Sequence, residues 1–314
     1  MRERSRSWDG VQERGSLWAI RALARALRLF GPAPARLLLH PIVAYFFLTD
    51  RSARHASRRY LQRLHAMPGG AEALRRPPGL REQYRHMYSF ASTALDQAMA
   101  WLGSFHRFSV EVEGFRPIMD FDDAGQGVIL LGAHLGNFGM LRVMAQSKRQ
   151  PVTVLMFRGA APLFNTMLME MAPESEVRIL EYDPGSPASI LEIKRRIDAG
   201  EQVALLADRP PPGSPGGRRV AQAPFLGHDA PFPLGPWILA SLLQCPVFWV
   251  CGLRTGKGRY RLTARLLAER IDLPRGRRDE LLRECVARYT AVLEEFCLEQ
   301  PYQWFNFYDF WQED

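Results

Sequence analysis

Residues 127–142 read GVILLGAHLGNFGMLR. Val128 to Leu131 form an unbroken apolar run, which is typical of a strand covered on both faces. The run ends at small residues that permit a tight turn, and His134 lies in that turn. Asn137 is a favourable N-cap for the helix that the later apolar spacing predicts. The sequence therefore predicts a histidine between a strand end and a helix N-terminus, where open α/β sheets build their sites.

The alternation of strand and helix patterns continues after this turn. The predicted elements, in chain order, are a strand at 152–157, a helix at 161–171, a strand at 177–182, a helix at 189–198, a strand at 203–207, a helix at 237–243 and strands at 247–253 and 260–264. Such alternation predicts an α/β fold with a mainly parallel central sheet flanked by helices.

The residues before this sheet have a different composition. We predict a disordered basic arm at 1–15, a helical membrane-associating region at 16–105 and the α/β domain at 106–314. Two apolar segments in the helical region are flanked by arginines, and neither reaches the roughly 20 uncharged residues that a spanning helix needs. They are typical of amphipathic helices that lie in a membrane interface. A secretory signal and helices that simply dock on the α/β domain are the alternatives.

The charge of the chain favours an anionic partner. Lysine and arginine number 41 against 33 acidic residues, which gives a net charge of +8. Nucleic acid, anionic lipid headgroups and an acidic carrier protein all fit this balance. The four cysteines lack paired spacing and lie in apolar surroundings, so they indicate buried thiols in a reducing compartment and predict neither a disulfide framework nor a metal site.

Polar residues follow three of the predicted strands. They are His134, Arg158 and Asp208. Because parallel strands end at the same edge of a sheet, the Asp208 carboxylate should emerge beside His134 and hold its imidazole in one tautomer. The alternatives are an ion pair of Asp208 with Arg209 or Arg158, and a purely structural role for His134.

The block around His134 resembles the signature of the glycerolipid acyltransferase superfamily, in particular the late acyltransferases of lipid A biosynthesis. In that family Asp or Glu follows the histidine after four residues, and here the acidic position is Gly139. The resemblance extends over about residues 110 to 311. Its further matches are the Arg at the end of the next strand, the Asp before the loop 211–219, the segment 223–236 and the aromatic residues 301–311.

The resemblance implies a membrane-associated acyltransferase without a cofactor. The donor would be a thioester of acyl carrier protein or coenzyme A, and the acceptor a hydroxyl of a lipid or glycolipid. His134 would be the general base, and the backbone amides around Gly136 and Asn137 would stabilise the oxyanion. Arg158 and Arg209 would bind donor or headgroup phosphate. The family also implies the cytoplasmic face of the bacterial inner membrane, with peripheral or monotopic attachment to its anionic surface.

Gly139 leaves a second hypothesis open. A homologue without the motif acid could have lost catalysis and could bind a lipid or a partner protein instead. A nucleic-acid binder is not expected, because the arginines flank apolar segments and no recognised nucleic-acid motif is present.

Overall fold

The computed structural model describes residues 32–140, 152–157, 178–183, 186–210 and 220–311. Several predicted features lie outside these described residues. They are the basic arm, the apolar segment at 16–31, the part of the predicted helix beyond Met140, the predicted helix at 161–171, Arg158 and the loop 211–219.

The α-helices of the described residues include four that precede the sheet. The helices are α1 (Pro32–Thr49), α2 (Arg51–Ala66), α3 (Gly70–Leu74), α4 (Leu80–Met99), α5 (Arg116–Asp123), α6 (Pro187–Asp198), α7 (Gly235–Leu243) and α8 (Arg278–Glu299). A π-helical turn and a 3₁₀ turn, Ala100–Ser104 and Phe105–Arg107, connect α4 to the first strand.

Seven of the strands form one sheet. The strands are β1 (Ser109–Glu113), β2 (Val128–Gly132), β3 (Val152–Phe157), β4 (Arg178–Tyr182), β5 (Gln202–Leu206), β6 (Val220–Phe225), β7 (His228–Pro233), β8 (Val247–Gly256) and β9 (Arg259–Ala268). The sheet order is β1-β9-β8-β2-β5-β3-β4, and its neighbours are parallel except β8 and β9. Strands β6 and β7 form a separate antiparallel hairpin. The predicted α/β class with a mainly parallel sheet is confirmed.

Strand β2 lies at the centre of the sheet and is buried on both faces, as its apolar run predicts. Ile129 and Leu131 point into the main core with side chains of α6, α7 and α8. Val128 and Leu130 point to the opposite face, where Ile118 of α5 covers them. This double burial fixes the end of β2 and therefore the start of the turn that carries His134.

The four helices before the sheet share its core. Tyr60 and Leu61 of α2 belong to the main cluster, and Leu39 of α1 packs with Leu95 of α4 and Leu262 of β9. Their packing therefore places the helical region directly on the sheet.

Helix α1 runs through Pro41 as one helix. It buries one side, with Leu39 and Val43, and leaves Leu37, Tyr45 and Leu48 exposed on the other. None of the helices in the described part of the chain has the length and apolar character needed to cross a membrane.

Candidate active site

His134 and Asp208 leave two neighbouring parallel strands at the same level. Gly132 at the end of β2 pairs with Leu206 at the end of β5. The Ala207 N–H donates to the Gly132 carbonyl at 2.9 Å and extends this ladder by one step. His134 and Asp208 each lie two residues beyond their strand. Equal register thus brings together two residues that are 74 positions apart.

Two hydrogen bonds join these residues. His134 Nδ1 lies 2.8 Å from Asp208 Oδ1, and the His134 backbone N–H donates to Asp208 Oδ2 at 3.0 Å. The Asp208 side chain is fully buried, whereas 31% of the His134 side chain is exposed. The imidazole therefore reaches solvent while its orienting carboxylate does not.

The charges of the pair follow from its neighbours. Burial alone raises the pKa of Asp208, but the adjacent His134, its two hydrogen bonds and Arg209 together lower that pKa to about 2. Burial and then the positive charge of Arg209 lower the pKa of His134, and Asp208 opposes them only in part. At neutral pH an ionised carboxylate thus accepts from Nδ1–H of a neutral imidazole. The Nε2 lone pair makes no hydrogen bond within the described residues and is available as a base.

A C-terminal segment, residues 302–306, crosses over this turn. Trp304 forms an antiparallel β-bridge with Leu135. The Gly136 N–H donates to the Gln303 carbonyl at 2.8 Å, and the Phe305 N–H donates to the His134 carbonyl at 2.7 Å. These bonds hold the backbone on both sides of the histidine.

The Trp304 side chain also reaches the acid. Its Nε1–H donates to Asp208 Oδ2 at 3.1 Å, and its indole is fully buried. Asp208 therefore accepts three hydrogen bonds. Trp304 was not among the residues predicted for the site, because an aromatic cluster near a chain end is typical of core packing. The signal in the sequence was the resemblance of segment 301–311 to a closing motif of the family.

The backbone amides predicted to stabilise an oxyanion are already used, and that expectation needs correction. The Gly136 N–H donates to Gln303, and the Asn137 N–H donates to the Gly252 carbonyl at 2.7 Å. Gly136 has a positive φ of 65°, and a Cβ there would lie 2.2 Å from the Gly252 oxygen. The close approach of this turn to β8 requires glycine at position 136. It also leaves both N–H groups already hydrogen-bonded to other parts of the chain.

The Asn137 side chain is buried and faces α4. Its Nδ2 lies 3.5 Å from the Thr93 carbonyl, and its Oδ1 has no hydrogen-bond partner within the described residues. The carboxamide thus does not cap the helix, although the Asn137 backbone carbonyl accepts from Met140 N–H at 3.1 Å. A substrate in the site could not reach this side chain without a rearrangement.

Of the two arginines predicted to bind phosphate, only Arg209 is described. Its guanidinium donates to the Phe305 carbonyl at 2.5 Å and lies 5.2 Å above the Tyr308 ring. These contacts hold a positive charge beside His134. Arg158 lies outside the described residues.

Gly139 lies where the family motif has its acid. Its φ is not positive, so an ordinary side chain is compatible with its backbone. A Cβ at this position would lie 2.2 Å from Nε2 of Gln97 on α4. The space beside Gly139 is therefore filled by a flexible carboxamide, and Asp208 provides the carboxylate for His134.

Comparison with known proteins identifies the family of the chain. No curated protein sequence matches the chain significantly. The family profile described as bacterial lipid A biosynthesis acyltransferase matches residues 2–313. Because this match spans nearly all of the 314 residues, the chain belongs to the bacterial lipid A biosynthesis acyltransferase family.

Proposed function

We propose that this acyltransferase uses His134 as a general base to move an acyl chain from a thioester to a hydroxyl of a lipid or glycolipid at a membrane surface. The thioester belongs to acyl carrier protein or coenzyme A. The observation that carries the proposal is the 2.8 Å contact between His134 Nδ1 and a fully buried Asp208, which leaves Nε2 of the partly exposed imidazole without a hydrogen-bond partner within the described residues.

The proposed chemistry has two proton transfers. His134 Nε2 takes the proton of the acceptor hydroxyl as that oxygen attacks the thioester carbonyl, which contributes about 10²–10⁴-fold in such sites. The tetrahedral intermediate then collapses, the carbon–sulfur bond breaks, and the imidazolium returns the proton to the leaving sulfur. Asp208 keeps Nδ1 protonated and stabilises the imidazolium, as in serine-protease triads. The products are an ester and a free thiol.

The oxyanion needs donors other than Gly136 and Asn137. The N–H groups of Phe138 and Gly139 follow the turn, where the sequence predicts the start of a helix, and make no hydrogen bond within the described residues. Free amides at a helix N-terminus favour negative charge. We assign the oxyanion to these two amides.

Donor phosphate remains assigned to Arg209 and Arg158. Support for Arg209 comes from its guanidinium, which the Phe305 carbonyl and the Tyr308 ring hold beside His134. Arg158→Ala and Arg209→Gln should raise KM for the donor more than for the acceptor. The increase in KM should be smaller at high salt, because salt screens the attraction between these arginines and the donor phosphate in the wild type. An unchanged donor KM in both variants would contradict the assignment.

The membrane surface is assigned to the outer side of α1. Leu37, Tyr45 and Leu48 are 73%, 63% and 72% exposed, respectively, and lie on one helix side. Arg51 and Arg58 of α2 follow along the chain and are exposed. Apolar side chains next to exposed arginines fit an interface of acyl chains and anionic headgroups.

Deleting residues 1–50 would be a poor test of this assignment, since α1 also contributes Leu39 and Val43 to the core. Tyr45→Ser combined with Leu48→Ser changes only the exposed side. We expect this variant to fold normally and to bind anionic vesicles less in a sedimentation assay. Leu191→Ser is a matched control, because Leu191 is 60% exposed on α6. Equal vesicle binding by all three proteins would contradict the assignment.

The proposed base is tested by His134→Ala. Membranes or purified lipid A precursors should be incubated with acyl-carrier-protein and coenzyme A thioesters, and esterified product measured by mass spectrometry. We expect product with wild type, none with His134→Ala, and normal product with His55→Ala, an exposed histidine on α2. Activity retained by His134→Ala would exclude His134 as the base. No product from wild type with any donor would favour the lipid-binding or partner-binding homologue.

A further inference from the structure

We propose that the indole N–H of Trp304 is a positioning group that holds Asp208 in the orientation needed to fix the His134 tautomer. The inference rests on the proposed function, because it assigns Trp304 a part in preparing that base. Trp304 acts through Asp208 and does not reach the substrate in this assignment.

The donor arrangement around Asp208 supports this assignment. Oδ2 accepts from Trp304 Nε1–H at 3.1 Å and from the His134 backbone N–H at 3.0 Å, which leaves Oδ1 for His134 Nδ1 at 2.8 Å. Both Asp208 and Trp304 are fully buried. Water therefore has no access to replace the indole donor, and a lost donor would leave the carboxylate short of one bond.

The Trp304 ring is fixed in place by four aromatic rings from three parts of the chain. Ring centroids lie 5.0 Å away in Tyr60, 5.1 Å in Phe225, 5.0 Å in Phe310 and 6.1 Å in Trp311. The Trp304 backbone bridges Leu135 in the turn beside His134. One residue thus fixes the backbone that carries the base and the carboxylate that orients it.

The absence of the motif acid gives a physical reason why this chain needs Trp304 as a positioning group. An acid in the family motif position would lie on the same turn and helix as the histidine, so local backbone geometry would set their distance. Here position 139 is glycine and the carboxylate comes from the end of β5. Two separate strand ends must be held to a fraction of an ångström, and the indole N–H adds a constraint that the strands alone do not supply.

Several other groups contribute to the electrostatics of this pair and must be kept constant in a test. Arg209 acts on both residues of the pair. Tyr308, two residues beyond the C-terminal segment, and Tyr289 and Cys297 of α8 interact with Asp208. Burial raises the pKa of Tyr289, Cys297 and Tyr308, so these three groups remain neutral around pH 7.

The experiment replaces Trp304 by 3-benzothienylalanine, an isostere of tryptophan in which sulfur stands in place of the indole N–H. Trp304→Phe is the genetically encoded second variant. The same isostere at Trp311 is the matched control, because Trp311 Nε1–H donates at 3.4 Å to the Phe225 carbonyl in the same cluster but not to Asp208. The readouts are kcat, donor KM, the pH profile of kcat/KM, and the His134 titration by NMR, assigned with His134→Gln.

We expect the isostere at 304 to lower kcat about tenfold or more with little change in KM, because the carboxylate is less constrained. The acidic limb and the His134 titration should both move to higher pH, since a carboxylate with one donor fewer stabilises imidazolium more strongly. The isostere at 311 should change neither. An unmoved His134 titration at 304 would overturn the inference, even if Trp304→Phe fails to fold.

If the proposed function itself were wrong, the experiments would give a different result. In that case wild-type transfer would be absent or untouched by His134→Ala, whatever the NMR titration shows. Loss of transfer in His134→Ala together with an unmoved titration and unchanged kcat in the Trp304 isostere would reject the role of Trp304 alone.

Discussion

Two histidines near Trp304, His134 and His86, differ in how their ring nitrogens are used. His134 uses Nδ1 for Asp208 and leaves Nε2 without a partner within the described residues, and 31% of its side chain is exposed. His86 is fully buried and uses both nitrogens. Its Nε2–H donates to the Trp304 carbonyl at 2.8 Å, and its Nδ1 accepts from the Ser57 hydroxyl at 3.0 Å.

The difference shows that burial alone does not decide whether a histidine nitrogen is left without a hydrogen-bond partner. Burial lowers the pKa of His134, and it lowers that of His86 to about 4 despite the Trp304 carbonyl. Only His134 has a carboxylate on one nitrogen and an open lone pair on the other. His86 joins α2, α4 and the C-terminal segment, and it therefore stabilises the structure on which the site is built.

The largest effect is expected from Asp208→Asn. Oδ2 of Asp208 accepts two N–H groups, so the carboxamide oxygen must take that place and its NH₂ must face His134 Nδ1. The imidazole then accepts at Nδ1 and carries its proton on Nε2, the wrong tautomer for a base. We expect kcat to fall by about 10³–10⁴-fold, as in a triad with the same change.

Ser57→Ala is the matched change at His86. It removes one hydrogen bond and should cost about 1 kcal/mol of stability, while kcat stays near that of wild type. Steady-state kinetics and urea unfolding measure both variants. A small effect of Asp208→Asn, or a comparable loss of kcat in Ser57→Ala, would erase the distinction between the two histidines.

The next effect concerns stability below neutral pH. The folded pKa of His86, about 4, lies below the ordinary value of 6.5, so the unfolded chain binds the proton first. The stabilisation that results from the lowered pKa of His86 is therefore complete above pH 6.5 and is lost as pH falls toward 4. Linkage gives a loss of about 2 kcal/mol between pH 7 and pH 5 from this residue.

The measurement is urea unfolding at the two pH values. His86→Gln keeps a side-chain donor for the Trp304 carbonyl but does not titrate, and its loss over the same interval should be smaller. His134 has a lowered pKa as well and adds to the loss in the same direction. A pH dependence identical in His86→Gln and wild type would contradict the neutral, locked state of His86.

A smaller effect is expected at Arg209. Its positive charge is the second cause, after burial, that lowers the pKa of His134. Arg209→Gln should raise that pKa and move the acidic limb of kcat/KM to higher pH. Arg63→Gln is a control, because Arg63 lies over the Trp311 ring at 4.3 Å. A limb that moves equally in both variants would indicate a general change of the fold.

The smallest effect is expected from Gly139→Glu, which restores the family acid. Its Cβ meets the Gln97 carboxamide at 2.2 Å, so the substitution should cost about 1–2 kcal/mol of stability by overpacking. Combination with Gln97→Ala should recover most of that cost. Because Asp208 already bonds His134 Nδ1, we expect kcat within about threefold of wild type. A gain of orders of magnitude would mean that Asp208 does not act as the orienting acid.

Much of the fold could be predicted from local sequence. The apolar run at 128–131 predicted a strand buried on both faces, and β2 is such a strand. Strands at 152–157 and 247–253 were likewise predicted close to their observed bounds, since apolar runs between turn residues have few alternatives.

The candidate site could be predicted only in part. His134 and Asp208 stand out because each follows a buried strand. The occupied amides of Gly136 and Asn137 could not be foreseen, since their acceptors, Gln303 and Gly252, come from distant positions in the chain. Trp304 has the sequence pattern of a core aromatic residue, and its donor role depends on where the C-terminal segment returns.

The sequence by itself determined which residues end the strands of a parallel sheet and therefore which side chains reach the edge that carries the candidate site. Only the tertiary structure decided that β5 lies beside β2 in equal register, so that Asp208 meets His134. It also decided which histidine bonds a buried carboxylate and which is held by a buried carbonyl, through contacts that span 74 and 218 positions. Strand order and long-range hydrogen bonds depend on packing of the whole chain, which local periodicity does not encode.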